Sequence, residues 1–187
     1  MDEKQQKIIS CAIEVFSRYG VRRTTMGDIA ENAGVSRQTL YASYANKEEV
    51  LRAAVTQLSN NTIAEIQSAW ADSDTIGEKL DLYLQLAVIH YFDMLSHLPD
   101  SADLVSGFRA IGAEELAIAE QQKQDMLEQQ FQPFEAELKN RGMSSRSLAE
   151  LFQTSSTNFK YVAEERADLI RLLDSLKQTT MVMLGQS

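Results

Sequence analysis

Cysteine is almost missing from this chain: of 187 residues only Cys11 carries a thiol. No internal disulfide and no cysteine-based zinc site can therefore form, and Cys11, between Ile8, Ala12 and Phe16, reads as a core or boundary residue of a first helix. Proline is nearly as scarce, with two, and glycine is thin, with eight, which leaves room for long helices. No run of about 18 apolar residues exists to span a bilayer. The opening MDEKQQK is too polar for a secretory signal, so the expected compartment is the cytoplasm, away from membranes. Catalytic signatures are also missing: there is no Gly-rich phosphate loop, no Gly-x-Ser-x-Gly elbow and no Cys/His nucleophile pair. An enzyme is not expected, and no cofactor is.

Positive charge is in deficit as well, with a net charge of −9, which argues at first against a polyanionic partner. Its distribution reverses that reading. Residues 1–50 hold seven basic and seven acidic side chains, so the whole excess of acid lies in residues 51–187. Apolar residues make up 44% of the chain, enough for a sizeable core. We expect two domains, residues 1–50 and residues 51–187.

The first of these contains the most informative stretch, TTMGDIAENAGVSRQTLYASYANKEEVL. Thr25 can cap a helix opening at Met26, with Asp28 completing a capping box. Gly34 can take the left-handed conformation that ends it. Ser36 then caps a second helix, Arg37 to about Tyr44, whose Leu40 packs back on Ile29 and Val35. Its other face carries Arg37, Gln38, Thr39, Tyr41 and Ala42. Arg pairs bidentately with guanine and Gln with adenine, and Thr39 can offer its methyl to thymine. The phenols of Tyr41 and Tyr44 suit phosphate oxygens, and Asn46 caps a following helix whose amides, with Lys47, make an anion site. This is the pattern of a helix-turn-helix that reads DNA.

Residues 8–55, from IISCAIEVFSRYG through TTMGDIAENAGVSRQTLYASYANKEEVLRAAV, resemble the amino-terminal domain of the TetR family of transcriptional regulators. The resemblance implies phosphate contacts by Thr25, Tyr41 and Lys47, and base or backbone contacts by Arg37, Gln38 and Thr39. Two positions depart from the family. Ser43 stands where a phosphate-binding Tyr is frequent, and Gln38 where Gly is common, which implies an added base contact. The fold implied is all-α: a three-helix DNA-binding domain, then a larger helical ligand-binding and dimerisation domain, with about nine helices in all.

The periodicity of the remaining chain agrees. A helix is expected from Glu48 to about Trp70 and a buried one from Ile76 to Leu98, ended by Pro99. A short piece covers Ala102 to Phe108, and a long polar-rich helix runs from Ala113 toward Asn140, kinked or split at Pro133 and closed by Arg141-Gly142. The last two segments, Ser145 to about Ala163 and Glu165 to Leu184, each carry one apolar stripe, including Leu148, Phe152 and Phe159 in one and Leu169, Leu172, Leu176 and Met183 in the other. The resemblance implies that these stripes build a four-helix bundle between two subunits; the alternative is that both face the chain's own core. A homodimer would read a palindromic double-stranded operator.

The resemblance also implies a small-molecule effector held among the central helices, with Trp70, Tyr83, His90, Tyr91, Met94 and Phe108 as candidates; such aromatics equally suit a core. His90, Asp93 and His97 share a helix face and form the one metal candidate, although the same spacing fits separate roles. The leading function is a ligand-responsive repressor. The alternative is a DNA-binding protein whose Gln- and Glu-rich surface from Glu114 to Glu137 takes a protein partner.

Overall fold

A computed structural model describes residues 2–98 and 101–186, and all the regular structure among them is helical. The helices are α1 (Glu3–Tyr19), α2 (Met26–Ala33), α3 (Arg37–Ser43), α4 (Lys47–Ala71), α5 (Ile76–Leu84), α6 (His90–Ser96), α7 (Ser101–Ile111), α8 (Ala113–Phe131), α9 (Glu135–Asn140), α10 (Ser145–Val162) and α11 (Arg166–Met183). A π turn, Gln85–Ile89, joins α5 to α6, and a 3₁₀ turn, Gln132–Phe134, joins α8 to α9. Counting each joined pair as one rod gives nine helices among the described residues. Pro133 lies in the 3₁₀ turn, where a missing amide ends one α-helical ladder and starts the next. Pro99, expected to end the α5–α6 rod, lies outside the described residues. None of the described helices is long and apolar enough to cross a membrane.

Local chemistry sets the boundaries. Asp2 caps α1, and Thr25 and Thr75 cap α2 and α5 through reciprocal capping boxes with Asp28 and Glu78. Gly34 ends α2 in the left-handed region, at φ 66° and ψ 34°, a conformation that a Cβ disfavours. Gly142 takes φ 77° after α9, where Arg141-Gly142 was expected to close the helix.

Packing divides the chain into two units, residues 1–61 with 95–119, and residues 62–94 with 120–187. The sequence boundary at residues 50 and 51 falls inside α4. In the first unit Ile8, Ala12 and Phe16 of α1, Ile29 and Ala33 of α2, Leu40 of α3 and Leu51, Ala54 and Val55 of α4 share one core, completed by Leu104 and Phe108 of α7. Cys11 is half-buried and packs against that core. In the second unit Ile66, Trp70, Leu80, Tyr83, Leu127, Phe131, Leu148, Phe152, Leu169 and Leu173 form another core. The α5–α6 rod is less uniformly buried than its composition suggests: α5 and the π turn contribute core residues, whereas α6 has none that is fully buried.

Candidate nucleic-acid interface

The candidate interface is built on α2 and α3. Asp28 donates its amide to Thr25 Oγ1 at 3.2 Å, while Thr25 donates its amide and its hydroxyl to Asp28 Oδ2, both at 2.8 Å. These bonds, joined by the nearby charge of Arg37, hold the Asp28 carboxyl below its usual range. Ser36 accepts the Thr39 amide at 3.0 Å and donates to Thr39 Oγ1 at 2.9 Å, so the first turn of α3 is held from within. Leu40 is fully buried and anchors α3 in the core. Fixed in this way, α3 turns Arg37, Gln38, Tyr41 and Ala42 to solvent, with Tyr41 51% exposed. Arg37 lies over α2 at Gly27, where an added Cβ would stand 2.7 Å from Nη2.

Two expected phosphate contacts are placed differently. Tyr44 is 8% exposed and belongs to the core, and burial raises its pKa. Lys47 is half-buried, and its ammonium donates to the carbonyl oxygens of Val21 at 2.7 Å, Thr24 at 2.8 Å and Arg22 at 3.4 Å. The amino end of α4 is also occupied: Asn46 Oδ1 accepts the Glu49 amide at 2.9 Å, and Glu49 Oε2 accepts the Ala45 amide at 2.8 Å. An anion approaching there would meet the Glu49 carboxylate.

The effector candidates do not form one set. Trp70 and Tyr83 come together, their rings stacked at 6.4 Å, with Phe152 at 5.8 Å from Tyr83. Trp70 Nε1 donates to the Lys79 carbonyl at 2.7 Å. Tyr91 and Met94 are half-buried, and Lys160 Nζ lies 4.5 Å from the Tyr91 ring centroid. His90 is exposed, and Phe108 belongs to the core of the first unit. The His90, Asp93 and His97 trio does not assemble either. Asp93 is engaged by Arg166 Nε at 3.0 and 3.2 Å, and no group of three or more metal-ligating side chains is found among the described residues.

The apolar stripes of the last two helices are split by burial. Leu148, Phe152 and Leu169 lie in the chain's own core, while Phe159, Leu176 and Met183 are half-buried against it, and Leu172 is half-buried. Solvent-facing apolar residues include Leu151 at 47% and Val162 at 66% exposure, both on the α10 stripe, and Val182 at 57% on α11.

Two features escaped the sequence reading. One is a buried polar seam, in which Lys123 donates to Glu120 at 2.7 Å, Thr157 to Glu120 at 3.2 Å and Gln153 to Thr157 at 3.3 Å. Next to it Tyr83 Oη is buried and meets no described group in full hydrogen-bond geometry; burial first, then Glu120, push its pKa up, and the looser approach of the Ser156 side chain offsets part of the rise. A Gln-Thr-Ser-Ser-Thr run inside an amphipathic helix was the available signal. The other feature is the pairing of Arg22 with the buried Asp103, for which a separation of 81 positions left no local sign.

Residues 8–54 match the family described as "Bacterial regulatory proteins, tetR family". The HTH-type transcriptional regulator TtgR of Pseudomonas putida is 35% identical over 86 residues, covering 45% of this chain and 41% of TtgR. The chain thus spans about two fifths of the length of the curated relatives it matches first. The fold is shared more widely. The fatty acid degradation regulator FadR of Bacillus halodurans superposes with a TM-score of 0.66 at 19% identity, over 99% of this chain and 96% of that one. SmeT, the repressor of the Stenotrophomonas maltophilia multidrug efflux pump SmeDEF, superposes with a TM-score of 0.62 at 20% identity, over 95% and 88%. A complex of SmeT with triclosan does so at 0.61 and 18%, over 97% and 91%.

Proposed function

We propose that this chain, whose amino-terminal domain belongs to the TetR family of bacterial regulatory proteins, is a DNA-binding transcriptional regulator. It works as a homodimer that represses by occupying a palindromic operator and leaves it when a small molecule binds the carboxy-terminal part. Residues 1–50 read DNA and residues 51–187 regulate, with Leu104 and Phe108 lent to the core that supports the head. The observation that carries the reading is the split of α3: Leu40 is fully buried while Arg37, Gln38 and Tyr41 face solvent. Guanidinium, amide and phenol on one short helix, whose amino end is capped by Ser36, suit base edges and phosphates. Thr25, Ser36 and Thr39 add hydroxyls at the two helix starts.

For the effector, the second core offers an aromatic wall of Trp70, Tyr83 and Phe152 beside the buried Tyr83 phenol. That chemistry suits a largely apolar, aromatic molecule with one hydrogen-bond acceptor. The triclosan complex of SmeT supports this class. For the dimer, the outward apolar residues Leu151, Val162 and Val182, with the flanks of Leu172 and Leu176, make a better seam than the buried residues of the same helices.

Selection of bound sequences from a random double-stranded DNA pool, followed by titration of the winner, tests the reading. One palindromic motif is the expected outcome. Recovery of nothing above background from a folded, dimeric chain would overturn it.

A further inference from the structure

The turn between α1 and α2, residues 21–24, is gripped from two helices that lie outside the helix pair itself. From α4 the Lys47 ammonium donates to the carbonyls of Val21, Arg22 and Thr24 at 2.7, 3.4 and 2.8 Å. An ammonium has three N–H donors, and this set uses all of them. From α7, Asp103 Oδ2 accepts the Arg22 backbone amide at 3.0 Å, and Oδ1 accepts from Arg22 Nε at 2.6 Å. Asp103 is 6% exposed, a buried charge whose partners belong to this turn. One helical turn further along α7, Gly107 lets the helix approach so closely that an added Cβ would stand 2.9 Å from Val21 Cγ2. Inside the turn, Thr24 donates its hydroxyl to the Gly20 carbonyl at 2.7 Å. The next residue, Thr25, is the cap of α2.

We propose that Asp103 and Lys47 are positioning residues for DNA binding: together they clamp the turn that aims α2 and α3, so that release of α7 from Arg22 lowers DNA affinity. This rests on the DNA-binding reading above and adds how it is regulated. Lys47 acts through the main chain, with its ammonium committed to carbonyls where a phosphate would have to compete for it. Asp103 lies well beyond the residues that match the family, so the reading head is completed by a helix of the regulatory part. The hydrogen bonds from Arg22 keep the Asp103 carboxyl below its usual range, which leaves the clamp closed at neutral pH.

The test uses the full chain and two readouts. Without DNA, hydrogen exchange in Asp103→Asn and in Lys47→Met should speed up by about tenfold or more at the Arg22 amide and the first amides of α2, with α10 and α11 unchanged. With the selected operator, each variant should lose about tenfold in affinity, as expected for hydrogen bonds to a charged group. The slope of log affinity against log salt should stay that of the wild type. The sign is informative for Asp103→Asn: it removes a negative charge, so field effects alone would tighten binding to DNA. Gly107→Ala presses α7 away from Val21 without changing any charge and should reproduce the loss if Asp103→Asn proves unstable. Wild-type exchange at Arg22 together with wild-type affinity in Asp103→Asn and Gly107→Ala would overturn the proposal. So would a Lys47→Met variant whose salt slope flattens by about two, one for each subunit, while exchange is unchanged, the signature of a phosphate contact. A wild-type chain that binds no DNA defeats the proposed function and this inference with it, and is distinguished by failing before any substitution is made.

Discussion

Tyr41 and Tyr44 stand three residues apart and differ in everything that matters for binding: one ring is half exposed, the other packs in the core of the head. Substitutions on α3 should divide in the same way. Gln38→Ala should relax base preference at particular positions by about 1–3 kcal/mol, read by repeating the sequence selection, whereas Tyr41→Phe should weaken all sequences equally. Tyr83 offers a second residue-scale test. Its hydroxyl is buried and meets no described group in full hydrogen-bond geometry, so Tyr83→Phe should leave stability unchanged or raise it by up to about 1 kcal/mol in thermal melts. A clear loss of stability would instead reveal a hydrogen bond that the phenol makes in solution.

Helix α10 shows how an element can carry two apolar faces while the pattern of apolar residues records only their presence. Phe152 is fully buried, so Phe152→Ala should cost about 3–5 kcal/mol and destabilise the fold. Leu151→Glu with Val182→Glu lies on the outer face and should give folded monomers in ultracentrifugation, with operator binding lost; a dimer that survives both charges would remove this seam. Helix starts make a separate prediction. Thr75→Ala removes the cap of α5, far from α3 in sequence, and should cost about 1 kcal/mol in denaturant melts. The carboxyls of Asp28, Glu78, Asp103 and Glu135 are all held below their ordinary values by hydrogen bonds, the partners being Thr25, Thr75, Arg22 and Ser145 respectively. Depressed folded-state values stabilise the chain above the unfolded pKa, near 3.8 for Asp and 4.5 for Glu. That stability is lost as pH falls through the folded values. Acid melts should therefore begin to lose stability below about pH 4.5, and Asp103→Asn should shallow that decline.

At the scale of the whole molecule, residues 1–50 are neutral and residues 51–187 carry all of the −9 net charge. In the proposed function, a few phosphate contacts work against that negative charge. With about four such contacts per head, and so about eight in the dimer, raising salt from about 50 to 200 mM should weaken binding on the order of 10,000-fold. Salt-independent affinity, measured by titration, would mean that binding does not rest on phosphate contacts.

Legible in the order of residues alone were features set within one helical turn: the caps Thr25 and Ser36, the left-handed Gly34, the break at Pro133, and the polar face of Arg37, Gln38 and Tyr41. These depend on groups three or four residues apart, so the order of letters is enough. Tertiary structure alone decided which stripe of α10 is covered, that Phe108 and Tyr83 serve different cores, that Tyr44 is buried, and that Asp103 meets Arg22 across a separation of 81 positions. An amphipathic pattern says that a face needs covering, but only the neighbour brought to it by the fold determines what covers it.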